Sequence, residues 1–281
     1  MDTKFKVIPL TGSLGAKIIG VDLANLTSDT FDKVREAFLE HAVLVFPDQE
    51  LTLDDQIGFA RRFGTLEIHP IVNGLEEKPE VIKMLKPAGE SASFGVGWHT
   101  DNSFFEIPSM GSVIYAQTIP PHGGDTLFAS QYVAYERLSD GMKAMLDGLK
   151  AIHTAKDAYT SDTAQEKYEG KTAITYRWSD SVLKEVLHPV VRTHPETGRK
   201  ALYVNPMFTT RFENMTEEES RPLLEYLFKH CTRPEFGCRV GWEPKQVAMW
   251  DNRCVMHYAV DDYKEFERML YRVTINGEKP E

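Results

Sequence analysis

This chain has no run of basic residues. Its 32 Lys and Arg are outnumbered by 42 Asp and Glu, for a formal net charge of −10. Nucleic acid rewards clustered cations, so a nucleic-acid partner is not expected. Cysteine is scarce and odd in number: Cys231, Cys238 and Cys254, with no CxxC spacing. That argues against a disulfide framework and fits a reducing compartment. There is no stretch of about 18 apolar residues, so no membrane-spanning helix is expected. The opening MDTKFKVIPL lacks the basic-then-apolar order of a secretory signal, and the cytoplasm is the expected location. Internal repeats and low-complexity tracts are missing too.

What is present is enough for one large core. The chain has 281 residues, 42% of them hydrophobic, and reads as a single domain over 1–281. Short strands are expected at 5–9, 16–22, 42–46, 81–85, 111–117, 126–129, 187–193, 201–204, 238–242, 246–250 and 268–275. Thr27 or Ser28 can cap a helix through His41. Thr52 with Asp55, and Thr216 with Glu219, read as capping pairs for two further helices. Ser139 caps a short fourth. Residues 87–97 form a Gly- and Ser-rich loop, open to reading as a lid or as ordinary surface. Residues 160–185 look like a polar insertion over the core. Many short strands with Gly and Pro turns, plus a few flanking helices, suggest a mainly β sandwich or jelly roll.

The chemistry centres on Gly97-Trp98-His99-Thr100-Asp101. In an extended segment His99 and Asp101 project to the same side. A neutral imidazole and a carboxylate converging on one point make two-thirds of a two-His-one-carboxylate iron site, which leaves positions open for chemistry. Eight other histidines are candidates for the third ligand: 41, 69, 122, 153, 188, 194, 230 and 257. His257 is the choice, since it follows the 246–250 strand and the Asp251-Asn252-Arg253 turn. His41 sits at a helix end and suits the helix dipole. His188 and His194 flank a strand and read as structural. On the strand at 268–275, Arg268, Leu270, Arg272 and Thr274 share one face. Both arginines can look into one pocket with the metal, roughly 13 Å apart along the strand. Arg holds carboxylates and sulfonates through paired N–H donors.

HxD at 99–101, Trp250-Asp251-Asn252-Arg253, His257 and Arg268 resemble the taurine dioxygenase family of Fe(II)/2-oxoglutarate oxygenases. The resemblance runs almost end to end. It takes in Pro9-Leu10-Thr11-Gly12, Gly123-Gly124-Asp125-Thr126, His188-Pro189 and Phe208-Thr209-Thr210-Arg211. It implies a double-stranded β-helix. It implies Fe(II) held by His99, Asp101 and His257, and 2-oxoglutarate held by Arg268 with help from Thr126. O₂ is the oxidant, and succinate and CO₂ leave as a substrate carbon is hydroxylated. Halogenating relatives lose the carboxylate ligand, so Asp101 argues against halogenation. Relatives are often dimers or tetramers, so a homo-oligomer is expected, although no motif here fixes one.

The resemblance also suggests a substrate pocket. By position His69 and Arg272 resemble the pair that holds the acidic end of taurine, and Phe208 resembles an apolar wall. Val72 stands where those members carry Tyr, Gly95 where they carry Asn, and Tyr159 where they carry Phe. The Gly at 95 also resembles the phenoxypropionate-oxidising branch. A small anionic organic substrate with a larger, more apolar body is therefore expected: a sulfonate, a sulfate ester or a phenoxyalkanoate-like carboxylate. Hydroxylation beside the heteroatom would make an adduct that collapses with C–heteroatom cleavage. His69 is also open to a structural reading, and Tyr159 to a place in the core. Two rival classes fit the residues less well. A zinc hydrolase gives Arg268 no role and lacks an obvious general base. A cupin-like binding protein is expected to have lost a ligand, and none is missing.

Overall fold

The apolar run at 42–46 lies at the heart of the larger sheet. The computed structural model describes residues 5–90, 95–159 and 183–281, except the side chains of residues 157 and 159. Strands are numbered β1–β15 in chain order. Val43–Phe46 (β3) is buried throughout. It pairs antiparallel with Val247–Asp251 (β13), which pairs with Ser109–Thr118 (β5). Beyond β5 come Arg268–Asn276 (β15) and then Val81–Lys86 (β4). On the other side of β3 lie Ala16–Ile19 (β2), parallel to it, and Lys6–Pro9 (β1) at the edge.

Two-residue periodicity explains why these central strands are apolar on both faces. Leu44, Phe46, Val113, Tyr115, Val247 and Met249 pack against Val34, Phe38, Ile57 and Phe59 of the helices Ser28–His41 and Leu53–Arg61. Val43, Val45, Ile114, Ala248, Trp250 and Leu270 face the other way, onto Phe128 and Val255. Those two residues belong to a smaller sheet in which Thr126–Ser130 (β6) lies between Gly237–Val240 (β12) and Val255–Ala259 (β14). Next to it, Lys150–His153 (β7) lies between Thr209–Phe212 (β11) and Val186–Pro189 (β8). Val191–Thr193 (β9) pairs with Lys200–Leu202 (β10). Helix Glu217–Cys231 covers this side through Leu224 and Leu227. Burying each such side chain contributes roughly 1.5–3 kcal/mol, so the sheet-to-sheet seam carries much of the stability. The architecture is a mainly β, double-stranded β-helix with flanking helices.

The helix caps form as the sequence predicts. Thr27 accepts from the Thr30 N–H, and both capping boxes close. Several expectations are corrected. Ala42 is not a strand residue; it is the left-handed C-cap of the preceding helix, at φ 58°. The strand expected at 187–193 is two strands, broken at Val190. The Val190 N–H turns to the Leu149 carbonyl instead. Strands β7, β11 and β14 were not expected. The insertion expected at 160–185 lies outside the described residues up to 182, as do residues 91–94 of the proposed lid. Among the described residues no helix is long and apolar enough to cross a membrane.

Candidate active site

The inner faces of the two sheets meet at His257, in the middle of β14. It forms a two-way backbone bridge with His99: the His99 N–H reaches the His257 carbonyl at 3.0 Å, and the His257 N–H reaches the His99 carbonyl at 2.8 Å. The two rings lie 4.1 Å apart. His99 is extended as expected, but Asp101 is not; it opens a turn whose next residue, Asn102, sits at φ 55°. The convergence comes from that turn. Asp101 Oδ1 lies 3.7 Å from His99 Nε2 and 3.6 Å from His257 Nε2. The three ligand atoms fall within 4.8 Å of one another, and all three residues are buried.

Charge and hydrogen bonding suit this trio to a cation. His99 Nδ1 donates to the Gly97 carbonyl at 2.8 Å, which leaves Nε2 as the lone-pair side. Burial lowers the pKa of His99, and lowers that of His257 well below the ordinary range, so both rings are neutral. Burial alone would raise the pKa of Asp101. The Arg272 guanidinium, charged and hydrogen-bonded to it, outweighs burial and holds the carboxyl far below its usual value. Two neutral imidazoles and one carboxylate are the donors of a divalent transition-metal site.

The arginines differ in their surroundings. Arg272 Nη2 bonds Asp101 Oδ2 at 2.8 Å and Ser112 Oγ at 2.9 Å, and its Nε donates to Thr274 Oγ1 at 3.2 Å. Arg268 is buried and has no carboxylate partner among the described residues. Its guanidinium lies 5.7 Å from the Trp242 ring and 5.5 Å from that of Tyr263, and its Nε has no hydrogen-bond partner among the described residues. Thr126 Oγ1 accepts from Trp242 Nε1 at 3.0 Å. Thr126, Arg268 and Arg272 line one cavity with His99, His257, Gly95 and Ile114. A buried guanidinium facing that cavity, with no ion-pair partner among the described residues, is suited to receive an anion.

The other predicted residues fall as follows. Gly95 sits at φ +78°; a Cβ there would lie 3.4 Å from His99 Cε1 and 3.8 Å from His99 Nε2, so its absence keeps the space above that ring open. Phe208 is buried with Ile71, Phe104 and Ala155, its ring perpendicular to His99 at 6.4 Å. Val72 packs on Ile82 and Met84. His69 already engages protein groups at both nitrogens: Nδ1 accepts from the N–H groups of Ile71 and Val72, and Nε2 meets Asn102 Oδ1 at 3.2 Å. The Tyr159 side chain lies outside the described residues.

Sequence reasoning missed the supports. Asn102 Nδ2 donates to Glu67 Oε1 at 2.8 Å and to Ser109 Oγ at 2.9 Å, tying the turn after Asp101 to the segment that carries His69. The turn before β14 is locked by Asp251. Its carboxylate takes Arg253 Nε at 2.8 Å, Arg253 Nη2 at 2.7 Å and His194 Nε2 at 3.0 Å. Arg253 continues to Glu196 at 2.8 Å. Asp251, His194 and Cys254 also cluster, but with both Asp251 oxygens engaged the cluster reads as an ion-pair lock that aims β14.

Comparison with known proteins agrees with this geometry. The family described as taurine catabolism dioxygenase TauD, TfdA family matches residues 6–274. An alpha-ketoglutarate-dependent sulfate ester dioxygenase of Pseudomonas putida is 35% identical over 98% of this chain and 90% of its own. An (S)-phenoxypropionate/alpha-ketoglutarate-dioxygenase of Sphingobium herbicidovorans is 31% identical over 99% of this chain and 97% of its own. The crystal structure of AAD-2 in complex with Mn(II) and N-oxalylglycine superposes with a TM-score of 0.77 at 31% identity, covering 99% of both chains. The hydrolase and binding-protein readings fall away. The chain belongs to the TauD/TfdA family and is an alpha-ketoglutarate-dependent dioxygenase.

Proposed function

We propose that His99, Asp101 and His257 hold Fe(II), and that Arg268, with Thr126 beside it, receives the distal carboxylate of 2-oxoglutarate. The substrate is a small organic sulfonate or sulfate ester, hydroxylated next to its heteroatom so that the C–heteroatom bond then breaks. When bound, Fe(II) would activate O₂, the oxidant, and 2-oxoglutarate would supply two of the four electrons that O₂ accepts, leaving as succinate and CO₂; the substrate would supply the other two. The protein's part is to bind, orient and exclude water. Arg268 fixes one end of the cosubstrate through a charge that has no competing ion-pair partner among the described residues. The observation that carries the substrate reading is Arg272. It is buried beside the ligand set, and among the described residues its Nη1 has no hydrogen-bond partner. An anion entering from the cavity meets a fixed positive group there.

The apolar body of the substrate lies against Phe208 and Phe104, in the space that Gly95 leaves open. His69 joins the anion clamp only if it releases Asn102. A phenoxyalkanoate-like carboxylate is the second reading, favoured by the same open space at Gly95. The test is an anaerobic optical titration with Fe(II) and 2-oxoglutarate, followed by a panel of anions. A visible charge-transfer band that needs both components, and that shifts with sulfonates or sulfate esters, is the expected result. A shift only with aryloxy carboxylates selects the second reading. At saturating metal, Arg272→Ala is expected to raise KM about 10- to 100-fold, the worth of one or two charge-assisted hydrogen bonds. An unchanged KM removes Arg272 from the clamp.

A further inference from the structure

The Asp101 carboxylate is divided between two tasks. Oδ1 faces the histidine Nε2 atoms at 3.7 and 3.6 Å. Oδ2 turns away and accepts from Arg272 Nη2 at 2.8 Å and from Ser112 Oγ at 3.1 Å. Ser112 Oγ also accepts from Arg272 Nη2 at 2.9 Å, which fixes the direction of its own proton toward Asp101. The placement follows from strand register. On β5, Ser112 stands opposite Trp250 of β13 and Thr274 of β15, and it is 1% exposed.

We infer that Ser112 is a positioning residue for Asp101, holding it to metal binding through a single oxygen. The inference rests on the metal assignment proposed above. A carboxylate can grip an ion with one oxygen or with both. The second mode would take one of the open positions that the keto acid and O₂ need. Two donors on Oδ2 oppose it. Arg272 alone is an uncertain restraint, because an anionic substrate draws on the same guanidinium. Ser112 has no such competing duty: it lies within the sheet, and among the described residues its hydroxyl bonds Asp101 and Arg272 alone. When substrate shares Arg272, the serine keeps the carboxylate turned. Outer groups that orient a metal ligand are typically worth 10- to 100-fold in metal affinity.

The experiment compares the full chain with Ser112→Ala, Ser112→Thr and Asp101→Ala. Mn(II) affinity is read by calorimetry, and ligand number by the Co(II) ligand-field spectrum. Ser112→Ala is expected to weaken Mn(II) about tenfold and to change the Co(II) band intensities, while Ser112→Thr, which restores the hydroxyl, stays within about threefold of the parent. Parent-like affinity and spectrum in Ser112→Ala overturn the inference, as does a Ser112→Thr variant that binds as weakly as Ser112→Ala. If Ser112→Ala does not fold, Ser112→Cys takes its place with the same expected loss, since a thiol is a weak donor. Asp101→Ala separates the two claims. Retained Mn(II) binding there sinks the metal assignment itself. Lost binding there beside a parent-like Ser112→Ala sinks only the role of the serine.

Discussion

Replacing Arg268 with Met should separate stability from cosubstrate binding. The guanidinium is buried, and among the described residues it makes no ion pair and its Nε is unpartnered. An uncompensated charge in such a place works against folding by a few kcal/mol. Stacking on Trp242 and Tyr263 returns about 0.5–2 kcal/mol. Methionine keeps most of the length and the contact with those rings. The unfolding free energy of the protein without metal or cosubstrate should therefore change by about 1 kcal/mol at most, or rise. Binding of 2-oxoglutarate should behave otherwise. Two hydrogen bonds between ions, at about 1.5–3 kcal/mol each, amount to a loss of roughly 10²- to 10⁴-fold in affinity. Urea unfolding of the bare protein and calorimetric titration of the Mn(II)-loaded protein with 2-oxoglutarate give the two numbers. A variant that loses more than about 2 kcal/mol of stability yet binds 2-oxoglutarate like the parent would refute the reasoning, since Arg268 would then be a structural residue.

Two further predictions concern the supports. Asp251→Ala leaves the Arg253 guanidinium buried without the carboxylate that now takes two of its side-chain donors. A loss of about 3–5 kcal/mol in urea unfolding is expected, with weaker Mn(II) binding because β14 is no longer aimed. His188 is buried, and burial pushes its pKa down from 6.5 to about 4. Between those values the unfolded chain takes up a proton that the fold refuses. Stability is therefore fully present above pH 6.5 and falls as the pH drops toward 4, by up to about 3 kcal/mol. His188→Gln should flatten that part of the stability-against-pH curve; an unchanged slope would show that other groups govern acid unfolding.

Much of the fold could be read because its central strands and helix ends carry strong local signals. Val43–Phe46 is apolar on both faces, and Thr52 and Thr216 each stand three residues before an acidic partner. The histidine and aspartate of the HxD motif could be read as a pair, but not the turn that brings them together, which depends on Asn102 tolerating a positive φ. From residue types alone His257 was one choice among eight. Its strand, β14, follows a polar turn and ends at Ala259 before two aspartates, so its pattern is short and weak. Strands β7 and β11, each of four residues, gave no usable period. Arg272 on Asp101, and Ser112 beneath both, follow from the pairing of β15 with β5, and register between distant strands is not written in either strand by itself.

The backbone bridge between His99 and His257 has a consequence for which metal the protein carries when isolated. The two main chains are tied by amide-to-carbonyl bonds of 3.0 and 2.8 Å, so the points from which both imidazoles project are set by the polypeptide. If His99, Asp101 and His257 hold the metal as proposed, a donor set of two nitrogens and one oxygen on such a frame gives little discrimination in favour of iron. Occupancy then follows the general ladder of divalent affinities, along which Co(II), Ni(II) and Cu(II) all rank above Fe(II). The metal found in a preparation therefore records what the surrounding solution supplied. On that assignment, exposure to nickel or copper during purification is expected to silence the enzyme without unfolding it, which activity and urea unfolding of nickel-exposed protein would check.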